Sequence, residues 1–217
     1  RATREMLMEA ATRVRAYGVS PPLPPVVRTG RATARLEPIH RTHPHRASFE
    51  QFIAARFDRA YGARVGHFSP HLLGVRDALA RWQAASGYTP AAGQRLFLEQ
   101  YFDRPVEDSL AGLGRPVARE RIVEVGNLAA ASAGMARTLI PLLARHLHRL
   151  GYEWVVFTAT RELRNSFRRL GLNPLRLARA DPARLADGGA SWGSYYQHDP
   201  LVMAGRIVRA LHVAPRA

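Results

Sequence analysis

Val123-Glu124-Val125-Gly126-Asn127-Leu128 runs into the small residues Ala129 to Ala133 and then into Gly134-Met135-Ala136-Arg137. Branched residues, then small ones, then helix formers spell strand, loop and helix start. Backbone N–H groups at such a start, with no bulky side chain over them, suit a phosphate or pyrophosphate. They suit equally a plain tight turn before a core helix. Downstream the alternation continues, and the pattern predicts a strand over 121–128, a helix over 134–150, a strand over 153–159, a helix over 161–170 and a strand over 173–178. Strand and helix in alternation make a pair of βαβ units. Trp154-Val155-Val156-Phe157 is apolar without alternation, as in a central parallel strand covered on both faces. Met135, Leu139, Leu142, Leu143 and Leu147 form one apolar stripe, and Leu163, Phe167 and Leu170 another. Gly151 and Gly171 stand where C-terminal caps belong, and Pro141 is expected to kink the first of these helices.

Upstream the grammar is different. Leu72 to Val75 and Leu79 to Tyr88 read as strands joined by a turn at Arg76-Asp77, and Gln94 to Phe102 as a further extended run. Between Ser48 and Gly62, Phe49, Phe52, Ile53, Phe57 and Ala60 recur on one helical face, with Ser48 to Gln51 spaced as a capping box. Thr29 to Leu36 is expected as a first strand. Before it, helical character over Met6 to Ala16 is stopped by Ser20-Pro21-Pro22-Leu23-Pro24-Pro25, a stiff extended spacer. The expected organisation is an arm over residues 1–28 and one domain over 29–217. The fold class is α/β, a mixed sheet with an antiparallel N-terminal half and a βαβ C-terminal half.

The chain has 217 residues, 47% of them hydrophobic, enough to bury a core and too apolar for disorder as its main state. It contains no cysteine, which removes disulfides, cysteine zinc sites and a thiol nucleophile. Its 32 basic residues are all arginine and face 17 acidic ones, a net charge of +15 that favours phosphate-bearing partners. The arginines are scattered, and the absence of lysine points to compositional bias as much as to guanidinium chemistry. No apolar stretch reaches the ~18 residues of a membrane-spanning helix, and Arg1 to Tyr17 lacks the pattern of a signal peptide; a cytoplasmic location is expected.

Several motifs together sharpen the reading. Gly151-Tyr152-Glu153-Trp154-Val155-Val156-Phe157-Thr158-Ala159-Thr160, Leu163-Arg164-Asn165, Phe167-Arg168-Arg169-Leu170-Gly171 and Trp192-Gly193-Ser194-Tyr195-Tyr196 resemble the thermostable hemolysin family. Leu98-Glu99-Gln100-Tyr101 and Glu124 to Leu128 resemble it too, and the likeness covers roughly residues 38–206. The order of strands and the loop before Gly134 resemble the Gcn5-related N-acetyltransferase fold, and Phe97 to Phe102 followed by Val123-Glu124 is similar to acyl-homoserine lactone synthases. The resemblance implies a donor that is a thioester, acyl-CoA or acyl-carrier protein, held between a splayed pair of strands. Asn127 stands where those synthases carry arginine, and Ala131 where acetyltransferases usually carry an arginine or glutamine of their phosphate loop.

The residues then fall into two groups. Glu124 and Glu99 are the carboxylates to take a proton from an acceptor amine or to anchor an ammonium, against the plain reading of strand glutamates paired with arginine. Asn127 would orient the acceptor or cap the loop. Tyr195 and Tyr196, with His198, lie where a leaving thiolate is protonated, or pack over the sheet edge. Leu128, Ala129, Gly134, Met135, Ala136 and Arg137 would hold the donor and its phosphates. His40, His43 and His45 have a metal-like spacing in a proline-containing loop, and a polar loop is the expected reading, with no metal. Arg164, Arg168 and Arg169 form a wet helical face, or a surface for nucleic acid or for a carrier's acidic helix; no recognisable nucleic-acid-binding motif is present. The expected activity is N-acyl transfer from a thioester to a small amine, an amino acid among the candidates. The alternative is a membrane-acting hemolysin without catalysis.

Overall fold

A computed structural model describes residues 26–29 and 32–213. Eight strands form one mixed sheet: β1 (Val26–Thr29), β2 (Ala32–Ile39), β3 (His71–Arg76), β4 (Trp82–Pro90), β5 (Ile122–Ala130), β6 (Trp154–Ala159), β7 (Leu175–Arg179) and β8 (Leu201–Arg206). Their order across the sheet is β1-β2-β3-β4-β5-β6-β8-β7. The helices are α1 (Arg46–Tyr61), α2 (Val106–Gly112), α3 (Ala133–Arg149) and α4 (Arg161–Arg169). The sheet begins at Val26, which pairs opposite Arg35, so it takes in the last residues of the span expected as an arm. The helix expected over Met6 to Ala16 and the proline-rich spacer lie outside the described residues.

β1 to β5 are antiparallel neighbours, while β5 and β6 run parallel across the α3 crossover, with Ile122 opposite Trp154 and Val125 opposite Phe157. The first βαβ unit therefore stands as the sequence indicates. The second also stands, β6 and β7 being parallel and joined by α4, but its strands are not neighbours. β7 does not lie beside β6, because β8, from the final apolar run, inserts between them and pairs antiparallel with both.

Alternation along the strands divides the core into two layers. Leu73, Val75, Ala84, Tyr88 and Val123 face α3, where Leu139, Leu142, Leu143 and Leu147 cover them. Leu72 and Ala85 face α1, against Phe49 and Ile53. On that same front face Ile122, Trp154 and Val156 are covered by residues 96–110 and by Leu185. α4 covers the back of β6 through Leu163 and Phe167 against Phe157. α3 runs through Pro141, which leaves the Arg137 carbonyl without its helical donor. α3 and α4 end before Gly151 and Gly171, both at positive φ as the cap positions require.

Two local readings are overturned. α1 starts at Arg46, ahead of the expected Ser48 capping box. Arg46 pairs with Glu50 at 2.6 Å and donates to the carbonyls of Ile39 and Ser69, tying the first turn to β2 and to the approach of β3. Ser48 instead donates to the His45 carbonyl. The run Gln94 to Phe102 is not a strand. Phe97–Tyr101 is a 3-10 turn, because its amides go to carboxylates rather than to a neighbouring strand: Leu96 N–H to Glu99, and Phe97 and Leu98 N–H to Glu124.

Candidate active site

β5 and β6 part company after Val125 and Phe157. β5 continues beside β4 as far as Ala130 opposite Ala84, and β6 continues beside β8 as far as Ala159 opposite Leu201. A gap opens between them whose β5 side is backbone not engaged by β6. Within that stretch the register jumps from Gly126 opposite Gly87 to Ala129 opposite Ala85, so Asn127 and Leu128 together oppose Ser86. This bulge leaves one backbone unit outside the ladder at the mouth of the gap. Asn127 takes φ +50, a conformation asparagine tolerates better than most residues. Its side chain accepts the Ser69 N–H at 2.8 Å and donates to the His67 carbonyl at 3.1 Å. Asn127 thus clamps segment 67–69 over the bulge, and it also lines the cleft.

A cleft of about 2460 Å³, open to solvent, surrounds this mouth; Glu124, Asn127, Phe97, Tyr101, Trp192 and Tyr196 are among its walls. Glu124 projects from β5 onto the front face and is 8% exposed. Its two oxygens accept the amides of Phe97 at 2.8 Å and Leu98 at 3.1 Å. Burial raises its pKa, those two donors pull it back and the charge of Glu99 adds to the rise, leaving it at about 7. A carboxylate in that range exchanges protons at neutral pH.

Glu99 is only 5% exposed, yet it is tuned the other way. Arg119 clasps it with two bonds, at 2.7 and 2.9 Å, and the amides of Leu96 and Val106 donate at 2.8 and 2.9 Å. Burial would raise it, but these donors outweigh that and hold its pKa below the usual carboxylate range. Arg119 also bonds Glu107 and the carbonyls of Ala91 and Gln94. Glu99 is therefore a fixed anion that shapes the turn carrying Phe97 and Leu98, and through them the seat of Glu124.

The Tyr196 hydroxyl meets that of Tyr101 at 2.6 Å. Burial raises the pKa of both, and for Tyr101 the bond to Tyr196 raises it further, whereas it lowers that of Tyr196. Either hydroxyl can donate to the other, and Tyr101 is the more strongly raised of the two. Tyr195 is buried, its ring edge-on to Tyr61 and Tyr196 at 5.1 and 5.4 Å. The loop carrying these tyrosines docks on the end of α1: Ser194 N–H donates to the Tyr61 carbonyl and Arg64 N–H to the Ser191 carbonyl. Gly193, at φ +54, lies so close that a β-carbon there would sit 2.0 Å from the Tyr61 oxygen. His198 turns away to Glu162 at 3.3 Å.

At the start of α3, Ser132 caps the helix by accepting the Met135 N–H at 3.2 Å. Ser132, Ala136 and Arg137 line the cleft mouth, Gly134 is exposed, and among the described residues no hydrogen bond or ion pair engages Arg137. Leu128 and Ala129 also line the cleft, Leu128 packing toward the back layer and Ala129 buried beneath α1, while Met135 packs into the back layer. Among the described residues no cluster of histidine and carboxylate groups could hold a metal. His43 lies 3.6 Å from Glu37 and accepts from the His45 N–H. Arg164 is drawn into the fold by the carbonyls of Ala159 and Asp199, whereas Arg168 and Arg169 are exposed.

Tyr101, Arg119, Tyr61 and Trp192 are the site residues to which sequence reasoning assigned no role. The motifs containing Tyr101 and Trp192 were visible, but a contact 95 residues apart in the chain has no signature in spacing.

This mixed sheet has the fold of solved acyl-homoserine lactone and N-acyl amino acid synthases. The acyl-homoserine lactone synthase LasI superposes with a TM-score of 0.57 at 12% identity, covering 85% of this chain and 97% of that one. FeeM, an N-acyl amino acid synthase from uncultured soil microbes, gives 0.56 at 12% identity, covering 84% and 99%. MesI, a CoA-dependent acyl-homoserine lactone synthase, gives 0.52 at 19% identity, covering 82% and 91%. Identities this low establish the shared fold. No curated protein matches the sequence. Residues 39–211 match the thermostable hemolysin family, and the chain belongs to that family.

Proposed function

We propose that this protein is an N-acyltransferase, moving an acyl group from an acyl thioester to the amine of a small acceptor. The observation that carries the reading is Glu124: a buried carboxylate with a pKa of about 7, set on β5 just before it parts from β6. The acceptor arrives as an ammonium and gives one proton to Glu124. The free amine attacks the thioester carbon, and the oxyanion that forms is met by backbone N–H at the bulge of Gly126 to Leu128. The carbon–sulfur bond then breaks, the thiolate takes a proton from Tyr196, and the second amine proton restores the tyrosine. The products are an amide, a free thiol and the proton left on Glu124, which passes to solvent.

The donor's acyl chain has an apolar path on the back of the gap. Val125 and Val155 lie there on the two central strands, yet neither is fully buried, and the cleft runs over them between α3 and α4. The phosphates of an acyl-CoA, or of a carrier protein's pantetheine, meet the first turn of α3 and Arg137. MesI is CoA-dependent, which supports CoA as the first donor to try. The rival reading, a membrane-acting lysin, needs a free amphipathic face; the apolar stripe of α3 is spent in the core. No helix among the described residues is long and apolar enough to cross a membrane. Incubation with acyl-CoAs and acyl-carrier proteins, each with a panel of amines and amino acids, should give an N-acyl product and one free thiol by mass spectrometry. Absence of amide with every pair would overturn the reading.

A further inference from the structure

We infer that the front of the cleft is an acceptor pocket selecting a primary amine that carries an aromatic ring. The inference rests on the acyl-transfer reading for the word acceptor, but the ring selectivity stands on the pocket itself. Trp192 is the hub of a connected set of rings, with Phe57 at 6.2 Å, Phe97 at 6.0 Å, Tyr195 at 5.2 Å and Tyr196 at 6.5 Å. These rings come from three separate segments, the end of α1, the 3-10 turn and the loop after β7. Tyr195 is buried, whereas Phe57, Phe97, Trp192 and Tyr196 are only partly covered, and all five line the cleft. The indole N–H of Trp192 has no hydrogen-bond partner among the described residues.

The proton acceptor sits at the end of this wall. Phe97 donates its own N–H to Glu124 at 2.8 Å, so the turn that carries the ring also seats the carboxylate of β5. An acceptor whose ammonium meets Glu124 places its substituent against Phe97 and Trp192. A flat apolar group there removes ring surface from water on both partners, and offset or edge-on ring pairs add to that gain. A short polar substituent leaves the rings wet. The ammonium benefits as well, since ring faces attract a cation without accepting its protons.

Calorimetric titration of the full chain with phenethylamine, phenylalanine and ethylamine tests this without turnover. Phenethylamine should bind about tenfold or more tightly than ethylamine, from the apolar surface removed from water together with the ring-pair gain. Trp192→Leu, which keeps apolar bulk but removes the ring, should narrow that ratio to about threefold or less. Phenylalanine bound more tightly than phenethylamine would assign a carboxylate-bearing acceptor, and the reverse a simple arylalkyl amine; both keep ring selection. Equal binding of phenethylamine and ethylamine, or a ratio unchanged in Trp192→Leu, overturns the pocket. Should Trp192→Leu not fold, the comparison on the unaltered protein decides alone. Transfer assays with the same amines separate the two claims. Amide formed equally well from ethylamine and phenethylamine overturns ring selection and leaves acyl transfer standing. Ring-selective binding with no amide from any amine upholds the pocket and overturns acyl transfer.

Discussion

Glu99 and Glu124 are the same residue type at nearly the same depth, 5% and 8% exposed, one within the 3-10 turn and the other on β5, accepting amides of that turn. Arg119 and two amides hold the first as an anion, while the second has two amides and burial. The result is a pair of carboxylates whose pKa values move in opposite directions. Such divergence is how a fold divides structural from acid–base work between identical side chains. The heavier desolvation of Glu124 and the guanidinium on Glu99 both separate them, and the guanidinium is the part open to attack by mutation.

The largest effect should come from the structural member. Glu99→Ala leaves Arg119 without its clasped partner and strands the amides of Leu96 and Val106, and breaking a buried pair from one side costs about 3–5 kcal/mol. Chemical denaturation should show that loss. A change below about 1 kcal/mol would mean that Arg119 is satisfied by Glu107 and the carbonyls alone.

Glu124→Gln should do the converse, cutting turnover by about tenfold or more while the protein stays folded. The sharper readout is stability against pH. Glu124 keeps its proton in the folded state up to about pH 7, against 4.5 for the ordinary group, so the folded state binds more protons in that window. Stability should therefore fall as pH rises from about 4.5 to about 7, by up to about 3 kcal/mol, and level off above. Glu99 runs the other way: its contribution is present above the ordinary pKa and is lost as pH falls through its lowered one. Glu124→Gln should abolish the neutral slope and leave the acid one. A wild-type stability curve flat between pH 5 and 7 would remove the raised pKa, and with it the base. Full turnover in Glu124→Gln would remove the catalytic role directly.

The sequence carried this comparison only halfway. It showed the parallel crossover, because Trp154 to Phe157 lacks alternation and a helix of crossover length separates two apolar runs. It showed both glutamates as candidates, because both stand beside motifs. It could not show that Leu96 to Phe102 abandons the extended state. Alternating Leu96 and Leu98 read as a strand, and the carboxylates that take their amides include one that arrives 26 residues later. Nor could it place β8 between β6 and β7, since an apolar run at the end of a chain fits an edge or an interior position alike. Arg119 drew no attention in a chain with 32 basic residues, where any one arginine is uninformative.

A smaller effect should separate the tyrosines from the carboxylates. Tyr196→Phe removes the partner of a buried hydroxyl, leaving Tyr101 unsatisfied at a cost of about 1–3 kcal/mol. Tyr101→Phe combined with Tyr196→Phe removes both polar groups and should recover part of that loss. If Tyr196 protonates the leaving thiolate, both variants should lose turnover although only the single one is markedly destabilised. Stability and turnover falling in parallel across the two would assign the pair to packing.

The smallest expected change in stability is at Arg137, and there the absence of an effect is itself informative. No hydrogen bond or ion pair engages this guanidinium among the described residues, and it sits in the first turn of α3 at the cleft mouth. A helix start carries a partial positive charge from its unpaired amides, and Ser132 consumes one of those by capping Met135. Arg137 adds a full charge beside what remains, which is the arrangement an anionic donor terminus calls for. Arg137→Ala should therefore leave the unfolding midpoint within about 0.5 kcal/mol of the parent, the usual range for a surface change. It should weaken acyl-CoA binding about fivefold or more, and the parent's affinity should fall with added salt more steeply than the variant's. A large stability loss with unchanged donor affinity would show that the side chain packs rather than binds. Unchanged affinity and unchanged salt dependence would move the phosphate site away from α3 altogether, leaving Glu124 with its base chemistry and the donor to be placed along another edge of the cleft.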